Sequence, residues 1–266
     1  MKERLDIILV ERRYVESRTK AQWLIENGLV YVNGKVVLKP GKKVENFHEI
    51  LLVKDFPYVG RGGLKLEAAL KDFSIEVKSK VCADIGANIG GFTDCLIKHG
   101  ARRVYAIDTA TDLLHPSLRC EKAKNKVIPL LGVDARILNK LNESVDLVTV
   151  DVTFTTIRSI LPNVKKYLKS EGDIIVLIKP LFETDFYDEP KLEVITDSKR
   201  LYEILMDLLE WCLSNGFFPY GILKSPLLGK GGSIEFFILL KTKNSEQNYN
   251  FQNKLTKLIF KNKVKS

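Results

Sequence analysis

Apolar positions repeat with two different periods along this chain, and the changes of period mark its elements. Leu5, Ile8, Leu9 and Val10 share one helical face, and Ala21, Leu24 and Ile25 share a second. Ser17 is placed as the N-cap of the second helix, and Asn27-Gly28 as its end. Val30 and Val32 then alternate as a strand. Asn33-Gly34 predicts a tight hairpin, with Val36-Val37 starting the return. Phe56 to Gly63 is rich in Pro and Gly and reads as a boundary. Beyond it, Leu64, Leu66, Ala68, Ala69 and Leu70 predict a helix with Lys65 in its first turn. Strand and helix signals then alternate: strand Val81–Ile85, helix Phe92–Lys98, strand Val104–Asp108, an apolar stretch Val127–Val133 and strand Val145–Val150. A helix over Ile157–Leu168, strand Asp173–Ile178, helix Ser198–Asn215 and strands Phe217–Leu223 and Ile234–Leu240 complete the series. Such alternation predicts an α/β domain on a mostly parallel sheet. The loop Ser225 to Gly232 joins the last two strands as a hairpin, so one strand must run antiparallel.

Length and charge narrow the picture. The 266 residues suit a small α+β domain followed by a medium one, and the formal charge of +9 suggests a polyanionic partner. No apolar run approaches the roughly 20 residues that span a bilayer. The start, Met1 to Asp6, has no apolar secretion core. The expectation is a soluble cytoplasmic protein with no membrane partner. Cys82, Cys95, Cys120 and Cys212 include no Cys-x-x-Cys pair, and the only histidines are His48, His99 and His115. Neither a metal site nor a disulfide framework is expected.

Basic residues gather on the first unit: Arg4, Arg12, Arg18, Lys20, Lys35 and, at the boundary, Arg61. They read either as a phosphate-binding face or as an ordinary solvated surface, since Glu11, Glu16 and Glu26 are interleaved. The order Arg4-Leu5-Asp6, Ser17-Arg18-Thr19-Lys20-Ala21, Leu24 to Gly28 and Val32-Asn33-Gly34 resembles the S4 family of RNA-binding domains, over residues 2 to about 55. That resemblance implies binding to structured RNA, largely through shape and backbone.

In the second unit, a buried strand ending in Asp84-Ile85 runs into Gly86-Ala87-Asn88-Ile89-Gly90-Gly91 and a helix, and the next strand ends in Asp108. This is half of a nucleotide-binding fold. The glycine spacing is not the dinucleotide fingerprint. A carboxylate at Asp84 would repel a pyrophosphate but attract a sulfonium or an α-ammonium group, and Asp108 is placed to accept two ribose hydroxyls. The loop therefore favours S-adenosylmethionine over NAD, with Gly86, Gly90 and Gly91 letting the backbone approach it. Asp134 is either an adenine contact or a loop cap.

Four charges remain: Lys65, Asp151, Lys179 and Glu235. Asp151 and Lys179 end adjacent parallel strands, and ligands of such sheets sit beyond those ends. Glu235 begins the antiparallel strand, so it faces the same side, and Lys65 leans over the rim. A ribose hydroxyl is a poor nucleophile and must lose a proton as a methyl group arrives. Lys179 is the expected base, with burial and the neighbouring Lys65 cation favouring its neutral form. Asp151 and Glu235 would orient the two lysines.

Val59 to Leu66, Asp84-Ile85-Gly86-Ala87, Gly90 to Leu96, Asp151-Val152-Thr153-Phe154, Ile178 to Glu183 and Ser225-Pro226 through Gly229 to Glu235 together resemble the TlyA family. Its members carry an S4 domain before a methyltransferase domain of the FtsJ (RrmJ) type and are also called haemolysins. The resemblance covers residues 2 to about 241. It implies a Rossmann-like methyltransferase fold and S-adenosylmethionine-dependent methylation of cytidine 2'-hydroxyls in ribosomal RNA or ribosomal subunits. The chain departs from the pattern at Asn88-Ile89, after Asp108, at Leu181, over Thr184 to Glu193, and at Ser233. The expected divisions are an S4-like domain over 1–57, a linker over 58–63, a catalytic domain over 64–242 and a basic tail over 243–266. The tail is either an RNA-contacting appendage, with Leu255, Leu258 and Ile259 on one short helix, or disordered. A monomer is expected. The competing readings are a non-catalytic RNA-binding assembly factor and a membrane-active toxin.

Overall fold

A computed structural model describes residues 2–26, 29–45, 48–52, 57–184, 194–229, 232–244 and 250–260, and of Val36 the backbone alone. The helix end expected at Asn27-Gly28, the loop residues Lys230 and Gly231, and parts of the tail lie outside the described residues. The chain forms two compact units, Met1–Arg61 and Gly62–Ser266.

The first unit contains β1 (Lys2–Arg4), α1 (Leu5–Glu11), α2 (Arg18–Glu26), β2 (Val30–Val32), β3 (Lys35–Val36), β4 (Lys43–Glu45) and β5 (Ile50–Leu52). β1 pairs with β4, and β2 lies between β3 and β5. All these pairings are antiparallel. The hairpin turn has both central residues in the left-handed region, Asn33 at φ 49° and Gly34 at 74°. That is the backbone a two-residue turn needs to match strand twist. Ser17 Oγ accepts the Lys20 N–H at 3.2 Å and so starts α2 as expected.

Leu5, Ile8, Leu9, Ala21, Leu24 and Ile25 are buried where α1 meets α2, and so is Asp6. Arg4 Nε and Arg18 Nε each lie 2.9 Å from Asp6, and Gln22 Nε2 lies at 2.8 Å. Burial alone would raise the Asp6 carboxyl, but the hydrogen bonds from Arg4, Gln22 and Arg18 outweigh it and hold the group well below the usual carboxylate range. Arg4 and Arg18, expected as phosphate contacts, are thus first of all the counterions of a buried acid. Their side chains still keep 43% and 54% of their exposure. Lys20 is paired with Glu16 at 2.9 Å, whereas Arg12 and Lys35 stand on the exposed surface.

The second unit contains α3 (Gly62–Asp72), β6 (Val81–Ile85), α4 (Gly91–Lys98), β7 (Arg103–Asp108), α5 (Pro116–Arg119), β8 (Val127–Leu131) and β9 (Val145–Val150). It continues with α6 (Leu161–Val164), β10 (Leu168–Ile178), α7 (Ser198–Ser214), β11 (Phe218–Lys224), β12 (Phe236–Lys241) and α8 (Phe251–Phe260). The seven strands are ordered β11-β12-β10-β9-β6-β7-β8, and β12 alone runs against the rest. β6 is buried along its whole length and β10 from Asp173 onward. Parallel strands covered on both faces read as continuous apolar runs for this reason.

Two segments differ from expectation. The helix expected over 157–168 is a 3₁₀ turn, Ile157–Ser159, followed by the four-residue α6. Pro162 sits in the first turn of α6, where its missing N–H is harmless, rather than inside one longer helix where it would break a bond. Leu168 already belongs to β10, which loses register between Leu168 and Asp173. The tail, in turn, is not disordered over residues 250–260. α8 packs on α7 and β11, with Leu255 fully buried and Phe260 against Tyr202 at 5.7 Å between ring centroids. Among the described residues no helix is long and apolar enough to cross a membrane. Replacing Leu255 by Ala should destabilise the second unit by roughly 2–5 kcal/mol, as buried Leu→Ala changes do. The exposed change Lys254→Ala should stay within about 0.5 kcal/mol. Urea unfolding of the two variants beside wild type measures both.

Candidate active site

The antiparallel strand sets the site. Ile178 of β10 is in register with Phe236 of β12. Lys179 follows the one and Glu235 precedes the other, so they occupy facing positions one step beyond the last pair. On the other side, Val150 of β9 is in register with Ile85 of β6, and Asp151 N–H donates to Ile85 O at 2.9 Å. Asp151, Lys179 and Glu235 therefore stand on one rim of the sheet.

Their side chains form two ion pairs. Lys179 Nζ lies 2.6 Å from Asp151 Oδ1 and donates to Val152 O at 3.0 Å and Thr153 Oγ1 at 3.1 Å. Lys65 Nζ donates to Glu235 Oε2 at 2.5 Å, both side chains being buried. Lys65 reaches the rim because α3 begins against α4 at a glycine contact. A Cβ on Gly91 would lie 3.1 Å from Gly63 N and 3.2 Å from Gly62 Cα. Gly62 and Gly63, read as linker, are thus the first residues of α3. Glu235 is seated by another glycine, since a Cβ on Gly229 would lie 2.1 Å from Glu235 Oε1. The sequence offered Gly229 only as one of several loop glycines.

Beside the Lys179–Asp151 pair lies a cavity of about 390 Å³, lined by Gly86, Asn88, Asp108, Asp134, Asp151 and Thr153 among others, though not by Lys65, Lys179 or Glu235. Asp108 ends β7 there. Its Oδ2 accepts the Asn88 N–H at 2.7 Å and its Oδ1 the Ala110 N–H at 2.8 Å. Each oxygen keeps acceptor capacity for a hydroxyl. Ile107, Val133, Ala135 and Ile160 supply an apolar wall suited to a base. This is the chemistry a nucleoside needs.

Other expected cofactor contacts have different positions. Gly90 and Gly91 do not line the cavity. Gly90, at φ 94°, lies under Leu118 and Leu114, and Gly91 under the start of α3, so both serve packing. Gly86 does line it, yet its missing Cβ is required by Asp151 O, which a Cβ would meet at 2.2 Å. Asp134 lies in the wall as a loop cap: Arg136 binds both of its oxygens and donates its N–H to one of them. Asp84 does not line the cavity and is fully buried. Thr93 Oγ1 donates to it at 2.6 Å and Thr149 Oγ1 at 3.0 Å. Thr149, a hydroxyl interrupting an apolar strand, was the sequence signal for this buried acid and was missed.

Burial pushes the Asp84 carboxyl up to about 7, against the opposing hydrogen bonds from Thr93 and Thr149. A carboxyl whose folded pKa exceeds its unfolded value of roughly 3.9 holds more protons when folded between those two pH values, so stability must fall as pH rises through that window. Asp84→Asn should remove this component. The wild-type urea midpoint, relative to that of the variant, should decline from pH 4.5 to pH 7.5; a constant difference would contradict the assignment.

A family model for FtsJ-like methyltransferases matches residues 58–242, and one for S4 domains matches residues 3–50. Hemolysin A of Brachyspira hyodysenteriae is 39% identical over 236 residues, covering 88% of this chain and 97% of that protein. The 16S/23S rRNA (cytidine-2'-O)-methyltransferase TlyA of Mycobacterium tuberculosis is 32% identical over 243 residues, 90% of each chain. A solved structure from Streptococcus thermophilus, assigned to the hemolysins, superposes with a TM-score of 0.74 at 31% identity, covering 97% of this chain and 94% of that one. S-adenosylmethionine is accordingly the cofactor, and the acid and apolar wall of the cavity fit its nucleoside. With a mostly parallel sheet, one antiparallel strand and that cavity at the strand ends, the chain belongs to the FtsJ-like methyltransferase family and carries an S4 domain at its N-terminal end.

Proposed function

We propose that this protein transfers a methyl group from S-adenosylmethionine to the 2'-hydroxyl of a ribose, at cytidine, in ribosomal RNA. The observation that carries this reading is the two ion pairs on the sheet rim, Lys179–Asp151 and Lys65–Glu235, with Asp151 lining a nucleoside-sized cavity. The relatives named for cytidine 2'-O-methylation support the choice of substrate.

The residues divide the work as follows. Asp108 accepts hydroxyls of the cofactor ribose, and Ile107, Val133 and Ala135 enclose its base. The bound cofactor supplies an electrophilic methyl group on a sulfonium. On taking up that methyl group the ribose hydroxyl must lose its proton. The two ion pairs favour a charged Lys179, not the neutral form expected from burial and a free Lys65 cation, so Lys179 must first give up its own proton to solvent; it then accepts the hydroxyl proton, and Asp151 holds the ammonium that re-forms. Val152 O and Thr153 Oγ1 fix the direction of the Lys179 amine, which is what positions it against one hydroxyl among many. Glu235 neutralises Lys65, leaving it as an oriented donor for the sugar or its phosphate instead of a bare repulsive charge. A lysine–carboxylate rim suits a hydroxyl nucleophile, and neither a catalytic cysteine pair nor an Asn-Pro-Pro-Tyr motif follows β9. RNA affinity comes in part from the S4 unit, whose exposed Arg12 and Lys35 we assign to phosphates, with Arg4 and Arg18 contributing the guanidinium edges that Asp6 leaves open; Lys20 and the half-buried Arg61 are assigned to the same role. A ribosomal substrate supports a cytoplasmic location.

The test is methyl transfer from labelled S-adenosylmethionine to purified small and large ribosomal subunits. Wild type should place label in alkali-resistant dinucleotides. Lys179→Ala should lose about 10²–10⁴-fold in rate, the usual worth of positioned proton transfer, with cofactor affinity retained. Label in alkali-sensitive positions, or an equally fast Lys179→Ala, would overturn the assignment.

A further inference from the structure

The turn after β10 ends in a carboxylate that the mechanism above does not use. Glu183 is buried, 8% exposed, and both its oxygens are engaged: Oε2 by the Thr156 hydroxyl at 2.6 Å and Oε1 by the Ile157 N–H at 3.0 Å. Both partners belong to the loop that follows β9. A buried carboxylate is a costly way to fill space, since an apolar side chain would pack there without desolvating a charge. What the carboxylate does that an apolar residue cannot is bind that loop at one defined point.

The spacing shows what is being joined. Glu183 lies four residues after Lys179, across the 3₁₀ turn Pro180–Phe182, and Thr156 lies five residues after Asp151. At their near ends the two loops are tied by Lys179 to Asp151, Val152 O and Thr153 Oγ1. At their far ends they are tied by Glu183. The Thr156 hydroxyl in turn caps the following 3₁₀ turn by accepting the Arg158 N–H at 3.2 Å, and Arg158 is ion-paired to Asp207 of α7. Between the two ties Phe154 is held at φ 63°, with its ring 5.4 Å from that of Phe182. A bulky residue in the left-handed region persists only where its surroundings over-determine it, and here they hold it from both ends.

We propose that Glu183 is a positioning residue for methyl transfer: it latches the loop after β9 onto the loop after β10, and thereby fixes the Lys179 amine against Asp151 and Thr153. The latch leaves the proton path untouched and sets its geometry. This rests on the functional reading given above, with Lys179 as the proton acceptor.

The test compares Glu183→Ala, Thr156→Val, Thr156→Ser and the Glu183→Ala/Thr156→Val double variant in the full-length protein. It reads kcat with saturating S-adenosylmethionine and ribosomal subunits, cofactor affinity by equilibrium dialysis, and the thermal midpoint. Displacement of a reacting group by about 1 Å can cost 100-fold, so Glu183→Ala should lose about 10–100-fold in kcat while cofactor affinity moves less than about threefold. Thr156→Val should lose activity in the same direction, and Thr156→Ser, which keeps the hydroxyl, should recover it. The double variant should be no slower than Glu183→Ala alone, because both changes open one latch. Should Glu183→Ala fail to fold, Thr156→Val decides, since it removes a single hydroxyl. A kcat within twofold of wild type in a folded latch variant would overturn the proposal, as would a loss explained wholly by weaker cofactor binding. A wild-type protein that binds cofactor but methylates no ribosomal RNA would defeat the functional reading, and the latch proposal with it.

Discussion

One register step carries most of this site. β12 enters the sheet antiparallel between β10 and β11, and Ile178 pairs with Phe236. Because the strands run in opposite directions, the residue after one and the residue before the other come to the same edge. That brings Lys179 and Glu235, far apart in sequence, to facing positions. In an all-parallel sheet the residue before β12 would lie at the opposite edge, about a strand length away. A shift of one residue would turn the side chains at this edge to the other face of the sheet. The fully buried Phe236, Phe237, Ile238 and Leu240 resist such a shift, so the core of the second unit fixes the register that its chemistry uses.

Around that step the structure holds charges in pairs. Asp6 is met by Arg4, Arg18 and Gln22, Lys179 by Asp151, and Lys65 by Glu235. Glu183 takes its hydrogen bonds from neutral donors, and burial pushes its carboxyl up to about 7 against those bonds and the nearby Arg158 charge. Asp84, with two threonine hydroxyls, is the second such case. One of these two acids belongs to β6, the strand that leads to the Gly86 loop, and the other is hydrogen-bonded to the loop after β9. Both are placed to hold backbone in position.

The chain disclosed its strands more readily than its contacts. The runs Val81–Ile85 and Val145–Val150 are β6 and β9 to the residue, because central parallel strands admit little but apolar side chains. The rim charges were legible because strand ends and strand direction were. At Gly90 and Gly91 the close neighbours are Leu118, Leu114 and the start of α3; a glycine spacing shows where backbone comes close but not whether a ligand or another helix is the neighbour. For Asp84 the position near a strand end was visible, whereas its hydrogen-bond partners Thr93 and Thr149 come from two other elements and were not. The helix expected over 157–168 failed on Pro162, whose preference for a first turn outweighed the apolar period. Arg4 and Arg18 looked like surface charge because their partner, Asp6, sits on an otherwise apolar helix face.

The central claim is that the two ion pairs act on one hydroxyl as a single unit. Single-turnover methyl transfer to ribosomal RNA by Lys65→Ala, Lys179→Ala and the double variant tests it directly. Groups that act as a unit are strongly non-additive, so the double variant should be scarcely slower than the slower single variant. Rate losses that multiply in the double variant would mean that Lys65–Glu235 and Lys179–Asp151 serve separate purposes, and would contradict the account.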